Sequence, residues 1–147
     1  INHADYPTGS TAIGNVWRDG DNLKFRDANR TKNLTYNVGT ETGAGVTSLT
    51  IDTAIYTQYA LRNMDSNVTI NAPTNGGSAL TLIHDGQKLT LRFRDNNISK
   101  NLTWNPIFRA IGTTLPPNTN PSKTLYVGCI YNAQYDKWDV VAVSEEA

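Results

Sequence analysis

Apolar and polar residues alternate at every second position through much of this chain. Leu89, Leu91 and Phe93 alternate with Thr90, Arg92 and Arg94, the period of two that sends one set of side chains into a core and the other into water. Leu23 and Phe25 against Lys24 and Arg26 repeat the pattern. Further strands are predicted over residues 46–51, 56–61, 68–70, 80–84, 125–131 and 138–143, separated by Gly, Pro, Asn or Asp. The last two should form a hairpin closed by residues 132–137, with Leu125, Val127, Cys129 and Tyr131 on one face opposite Trp138, Val140 and Ala142. Helical spacing near Ile107, Phe108 and Ile111 is interrupted by Pro106 and Gly112, which leaves room for one turn at most. The pattern predicts an all-β protein.

One segment occurs twice. Phe25-Arg26-Asp27-Ala28-Asn29-Arg30-Thr31-Lys32-Asn33-Leu34-Thr35-Tyr36-Asn37 aligns without a gap on Phe93-Arg94-Asp95-Asn96-Asn97-Ile98-Ser99-Lys100-Asn101-Leu102-Thr103-Trp104-Asn105, with nine of thirteen positions identical. Each copy reads as two strand arms around an Asp/Asn/Ser/Thr-rich connection, whose side chains cap their own backbone and tolerate left-handed geometry. A hairpin is the expectation for both. The offset of 68 residues exceeds the usual solenoid period, and two copies fall short of an array. The chain therefore reads as a doubled module and not a solenoid.

The stretch Thr40-Glu41-Thr42-Gly43-Ala44-Gly45 reads as a linker. It divides an N-terminal hairpin arm, residues 1–45, from a body, residues 46–147, expected to be an antiparallel β-sandwich of jelly-roll type. Residues 116–121 (Pro-Pro-Asn-Thr-Asn-Pro) read as a surface loop. An arm with so few apolar residues needs a neighbouring chain to cover it.

Composition narrows the partners. Thirteen basic and thirteen acidic residues cancel, and no run of like charge forms a local field, so neither nucleic acid nor a membrane surface is an expected partner. No stretch is long and apolar enough for a membrane helix, and residues 1–10 have neither the basic nor the apolar block of a signal peptide. Nineteen Thr and seventeen Asn give a neutral polar surface instead. That composition also produces five Asn-x-Ser/Thr tripeptides, four of them inside the duplicated segment, so they are expected by chance and not read as glycosylation sites.

No catalytic, cofactor or metal residue is assigned. His3 and His84 have no Ser, Cys or Glu placed to complete a triad or ligand set, and His84-Asp85-Gly86 reads as a turn. Glu41, Glu145 and Glu146 lie in the expected linker and tail, which leaves a glycosidase only Asp pairs. Asp19-Gly20-Asp21-Asn22 lacks the spacing of a calcium loop, and Gly76-Gly77 has no following Lys-Ser/Thr for phosphate. Cys129, in an apolar strand, reads as a buried small hydrophobe. Most Trp and Tyr share faces with Leu and Val and read as core, not as a sugar platform.

Tyr126 and Ile130 lie on the face opposite Val127 and Cys129, and with Val141 and Val143 they make the final hairpin apolar on both sides. A second copy of the chain is expected to cover one side, with Ile107, Phe108 and Ile111 extending the same subunit interface.

The run Gly14-Asn15-Val16-Trp17-Arg18-Asp19-Gly20-Asp21-Asn22-Leu23-Lys24-Phe25-Arg26-Asp27 resembles a short β-hairpin segment of tailed-bacteriophage fibre and head-surface proteins. Asp85-Gly86-Gln87-Lys88-Leu89, Leu102-Thr103-Trp104-Asn105, Phe108-Arg109-Ala110-Ile111-Gly112, and Thr124-Leu125-Tyr126-Val127-Gly128 through Trp138-Asp139-Val140 are similar to C-terminal β-domains of phage virion proteins. Together these cover about 60 of the 147 residues. The resemblance implies a non-enzymatic particle component, a homo-oligomer expected to be a trimer, on a virion surface assembled in the bacterial cytoplasm. With no heptads and no collagen-like tract, the chain is expected to be a capsid decoration or head-fibre protein bound to the major capsid protein. Trp17, Arg18, Phe25, Arg26 and Tyr36 are the expected capsid contact. The alternatives are a tail-fibre tip that binds a host surface receptor or glycan, and a free carbohydrate-binding module.

Overall fold

The computed structural model describes residues 38–76 and 83–147 with their side chains, and the backbone strands within 16–33. In the N-terminal unit, residues 1–37, β1 (Val16–Asp19), β2 (Asn22–Arg26) and β3 (Thr31–Asn33) form an antiparallel sheet in that order. Asp19 pairs with Asn22 in the first register and Phe25 with Lys32 in the second. The first copy of the repeated segment thus contains an antiparallel strand pair, its return strand at residues 31–33, while residues 27–30 and 34–37 lie outside the described residues.

The second unit comprises residues 38–147. Its strands are β4 (Val38–Thr42), β5 (Ser48–Leu49), β6 (Gln58–Met64), β7 (Val68–Ile70), β8 (Lys88–Asp95), β9 (Leu102–Trp104), β10 (Phe108–Ala110), β11 (Thr124–Asn132) and β12 (Lys137–Glu145). The described residues contain no helix, so the all-β reading holds. The chain spends alternate strands in two sheets, one ordered β10-β12-β11-β8-β6-β4 and one ordered β5-β7-β9. One core lies between them, built from Leu61, Leu91 and Phe93 of the larger sheet and Leu49, Ile70 and Leu102 of the smaller.

The pairing sense departs from the antiparallel jelly roll. β4, β6 and β8 run parallel, as do β5, β7 and β9. Each successive pair of strands thus makes one coil of a short three-coil solenoid, β4–β5, β6–β7 and β8–β9. The corners stack as well: Gly43 N–H donates to Arg62 O, Asn96 N–H to Met64 O, and Val68 N–H to Asn101 O. The solenoid escapes a search for repeats because its steps are unequal, roughly 20 residues between the first two coils and 30 between the next.

The second copy of the repeated segment is consequently not a hairpin. Both edges of β8 are occupied, by β6 on one side and β11 on the other, so the return arm crosses to the smaller sheet as β9. Residues 96–101 form the corner, with Asn97 in left-handed geometry at φ 72°. The expected break at residue 45 is also displaced. Thr40 to Thr42 are paired in β4, and the turn that follows carries Gly45 at φ 75°, its N–H held by the Asp65 carboxylate at 2.8 Å.

The antiparallel pair β11–β12 closes the larger sheet, and β10 adds parallel to β12 at its edge. A bulge separates the pairs Gly128–Ala142 and Cys129–Val140, so Val141 is the extra residue. That one residue inverts the expected faces beyond it. Val143 turns in against the core and Ala142 turns out.

Candidate functional site

The outer face of the larger sheet is a grid set by strand register. Thr40, Ala60, Arg92, Tyr126 and Ser144 form one row across β4, β6, β8, β11 and β12. Two residues along, Thr42 faces Arg62 and Arg94 faces Thr124. Alternation places Arg92 and Arg94 outward because Leu91 and Phe93 point into the core.

Around Ala60 these rows enclose a cleft of about 280 Å³, walled by Arg62, Arg92, Arg94, Thr124, Tyr126 and Glu146. Arg94 donates to Glu146 at 2.9 Å and to the Thr124 hydroxyl at 3.1 Å. The Thr124 N–H also donates to Glu146 at 2.9 Å, and this backbone contact leads the causes that hold the Glu146 carboxyl below the usual carboxylate range. The Arg92 guanidinium lies over the Tyr126 ring, 6.0 Å from its centroid, a cation–π contact that orients it without neutralising it. Arg62 is exposed, with no acidic partner among the described residues.

A second concavity, about 640 Å³, lies at the closed end of the final hairpin, bordered by Asp85, Ile130, Asn132, Gln134, Asp139 and Val141. Here Arg109 donates to both Asp139 oxygens, at 2.8 and 3.0 Å, and lies 4.8 Å from the Tyr135 ring centroid. The guanidinium holds the Asp139 carboxyl low, and the carboxylate raises Arg109 in turn. That pair satisfies itself and offers little to a ligand. Among the described residues no three His, Cys, Asp or Glu side chains gather as metal ligands.

The expected interface residues divide. Tyr126 (38% exposed) and Val141 (45%) face outward with the half-buried Ile130, while Ile111, also exposed, lies beyond β10. Ile107 and Phe108 belong to the core instead. β10 is stitched to β12, Trp138 N–H donates to Ile107 O, and the Phe108 ring meets Trp104 edge-on at 5.2 Å. Val143 leaves the outer face through the bulge. The side chains of Trp17, Arg18, Phe25 and Arg26, and all of Tyr36, lie outside the described residues.

Cys129 is buried and unpaired, and desolvation pushes its thiol up to about 12. His84 and Asp85 sit in the turn that the sequence predicts: Gln87 N–H donates to His84 O, Gly86 has φ 75°, and Asp85 accepts from Ala133 N–H at 3.0 Å. The grouping of Arg62 and Glu146 with the two β8 arginines has no signal in residue spacing. It follows from parallel pairing of β6 with β8 and from the tail returning beside β11.

No family model matches the chain, and no curated protein does. A solved structure described as "Structure of a chaperone-substrate complex" is 11% identical over 84% of this chain, with a TM-score of 0.47. The chain spans 22% of that neighbour's length.

Proposed function

We propose that this chain is a non-enzymatic structural protein of a tailed-phage particle, a homo-oligomeric decoration or head-fibre component that stabilises or projects from the shell. The supporting observation is the coil stack. Its strands hydrogen-bond from coil to coil, one end is closed by the β11–β12 hairpin, and β4 and β5 are the outermost strands of their sheets at the other. Such an element resists unfolding through backbone ladders and presents strand edges to which further chain can add. Residues 14–27 and the stretches 85–89, 102–105, 108–112, 124–128 and 138–140 are also those that resemble phage surface proteins.

In this reading the chain stabilises the shell by mass action, because a protein that binds assembled capsomers in preference to free ones shifts the balance toward the shell. A second copy covers the outward Ile130 and Val141 at the closed end of the final hairpin and leaves Tyr126 beside the arginine cleft. Labelling the chain on intact particles and imaging them by electron microscopy tests the proposal. Label over the capsid supports it; label confined to the tail assigns the chain to a fibre tip, and no label on particles overturns both.

A further inference from the structure

We propose that the arginine-walled cleft on the outer sheet face binds an acidic saccharide, a sugar chain bearing a carboxylate or sulfate. This inference rests on the sheet face alone and holds whether the chain sits on a capsid, on a fibre or on neither.

The charge is the first argument. Arg62, Arg92 and Arg94 stand against Glu146, an excess of two positive charges in a chain whose net charge is zero. Glu146 is already engaged by Arg94 and the Thr124 N–H. That leaves Arg62 and Arg92 as guanidinium forks, the geometry that grips carboxylate or sulfate oxygens through paired N–H groups. The Tyr126 contact holds Arg92 in place before any ligand arrives, which lowers the ordering cost of binding.

The surroundings select the class of ligand. Ala60 lies beneath the cleft, fully covered by its neighbours, and its small side chain keeps the sheet surface low between the arginines. Thr40, Thr42 and Ser144 line adjacent outward positions and offer hydroxyl groups suited to sugar hydroxyls. The cleft holds roughly one sugar unit, and two free guanidiniums match one or two anionic groups. A nucleic-acid strand would need a longer basic track and a series of stacking aromatics.

The test uses the full chain, with trigalacturonate as the carboxylate probe, a heparin-derived disaccharide as the sulfate probe, maltotriose as the neutral control and a short oligothymidylate as the nucleic-acid control. Calorimetry is expected to give binding of one or both acidic sugars, weakened by added salt, and none of maltotriose. Arg92→Gln and Arg62→Gln are each expected to weaken it about tenfold, in line with loss of one charge-assisted pair. Glu146→Gln, which frees Arg94, is expected to tighten it severalfold, a gain that misfolding cannot mimic. Failure of both acidic probes to bind, equal binding of maltotriose, tighter binding of oligothymidylate, or binding unchanged in folded Arg62→Gln and Arg92→Gln would each overturn the proposal.

Discussion

The Asp95 carboxylate accepts a 2.7 Å hydrogen bond from the Thr119 hydroxyl, and both side chains are buried. The other carboxylate oxygen takes the N–H groups of Asn97 and Ser122, each at 3.0 Å. Thr119 meanwhile accepts the Lys100 N–H at 3.0 Å. Together they pin the corner between β8 and β9 to the proline-rich loop. Asp95→Ala strands the buried Thr119 hydroxyl and two part-buried N–H groups and is expected to destabilise the protein by about 2–3 kcal/mol, and Thr119→Val by about 1–2 kcal/mol. Urea melts of each variant and of the pair check this, and because the two residues share one network the double variant should cost less than the sum.

Gly39 is buried under the Tyr59 ring. A Cβ at Gly39 would stand 2.3 Å from Tyr59 Cδ2 and 3.0 Å from Tyr56 Cδ1. Tyr59 cannot easily yield, because its hydroxyl donates to Glu41 at 2.8 Å and its ring packs edge-on against Tyr56. Gly39→Ala is therefore expected to cost about 1–3 kcal/mol by overpacking. Tyr59→Leu in the same background should recover part of the loss, which thermal melts of the single and double variants would measure.

The strand period was legible in Leu89, Leu91 and Phe93 because burial on one face leaves a direct trace in side-chain alternation. Pairing sense leaves no such trace. Residues 93–105 carry the same turn chemistry as residues 25–37, yet one segment contains an antiparallel strand pair and the other turns a corner, because neighbours already hold both edges of β8. The arginine cleft was half legible on the same ground: alternation aims Arg92 and Arg94 outward, but only register brings Arg62 and Glu146 beside them. The side of Val143 depended on a single bulged residue, and no residue type at positions 140–143 marks it.

Three groups make the fold sensitive to alkali. Burial pushes Cys129 from 9.0 to about 12, and burial followed by the Glu41 and Asp136 contacts pushes Tyr59 and Tyr131 from 10.0 to about 12. Each keeps its proton in the folded chain after the unfolded chain has released it. Their contribution is thus complete below about pH 9 and is lost as pH rises to about 12. Cys129 costs about 1.4 kcal/mol per pH unit between its unfolded and folded values, and the two tyrosines cost less because solvent screens their hydroxyls. Urea midpoints across this window are expected to fall with increasing slope, and Cys129→Val should remove the earliest part of the decline.

Val141 and Val143 are two positions apart and should respond oppositely. Val143 packs against the core, so Val143→Ala is expected to lower stability by about 1 kcal/mol and leave the oligomeric state unchanged. Val141 is the extra residue of the bulge, exposed and flanked by Ile130 on the neighbouring strand. If a second copy covers this face, Val141→Lys places a charge in a buried contact, and light scattering after size exclusion should show the oligomer reduced to single chains. The variant's thermal midpoint, measured when dilution has already separated the subunits, should stay within the small range of a surface substitution. An oligomer that survives Val141→Lys would move the subunit contact away from the final hairpin.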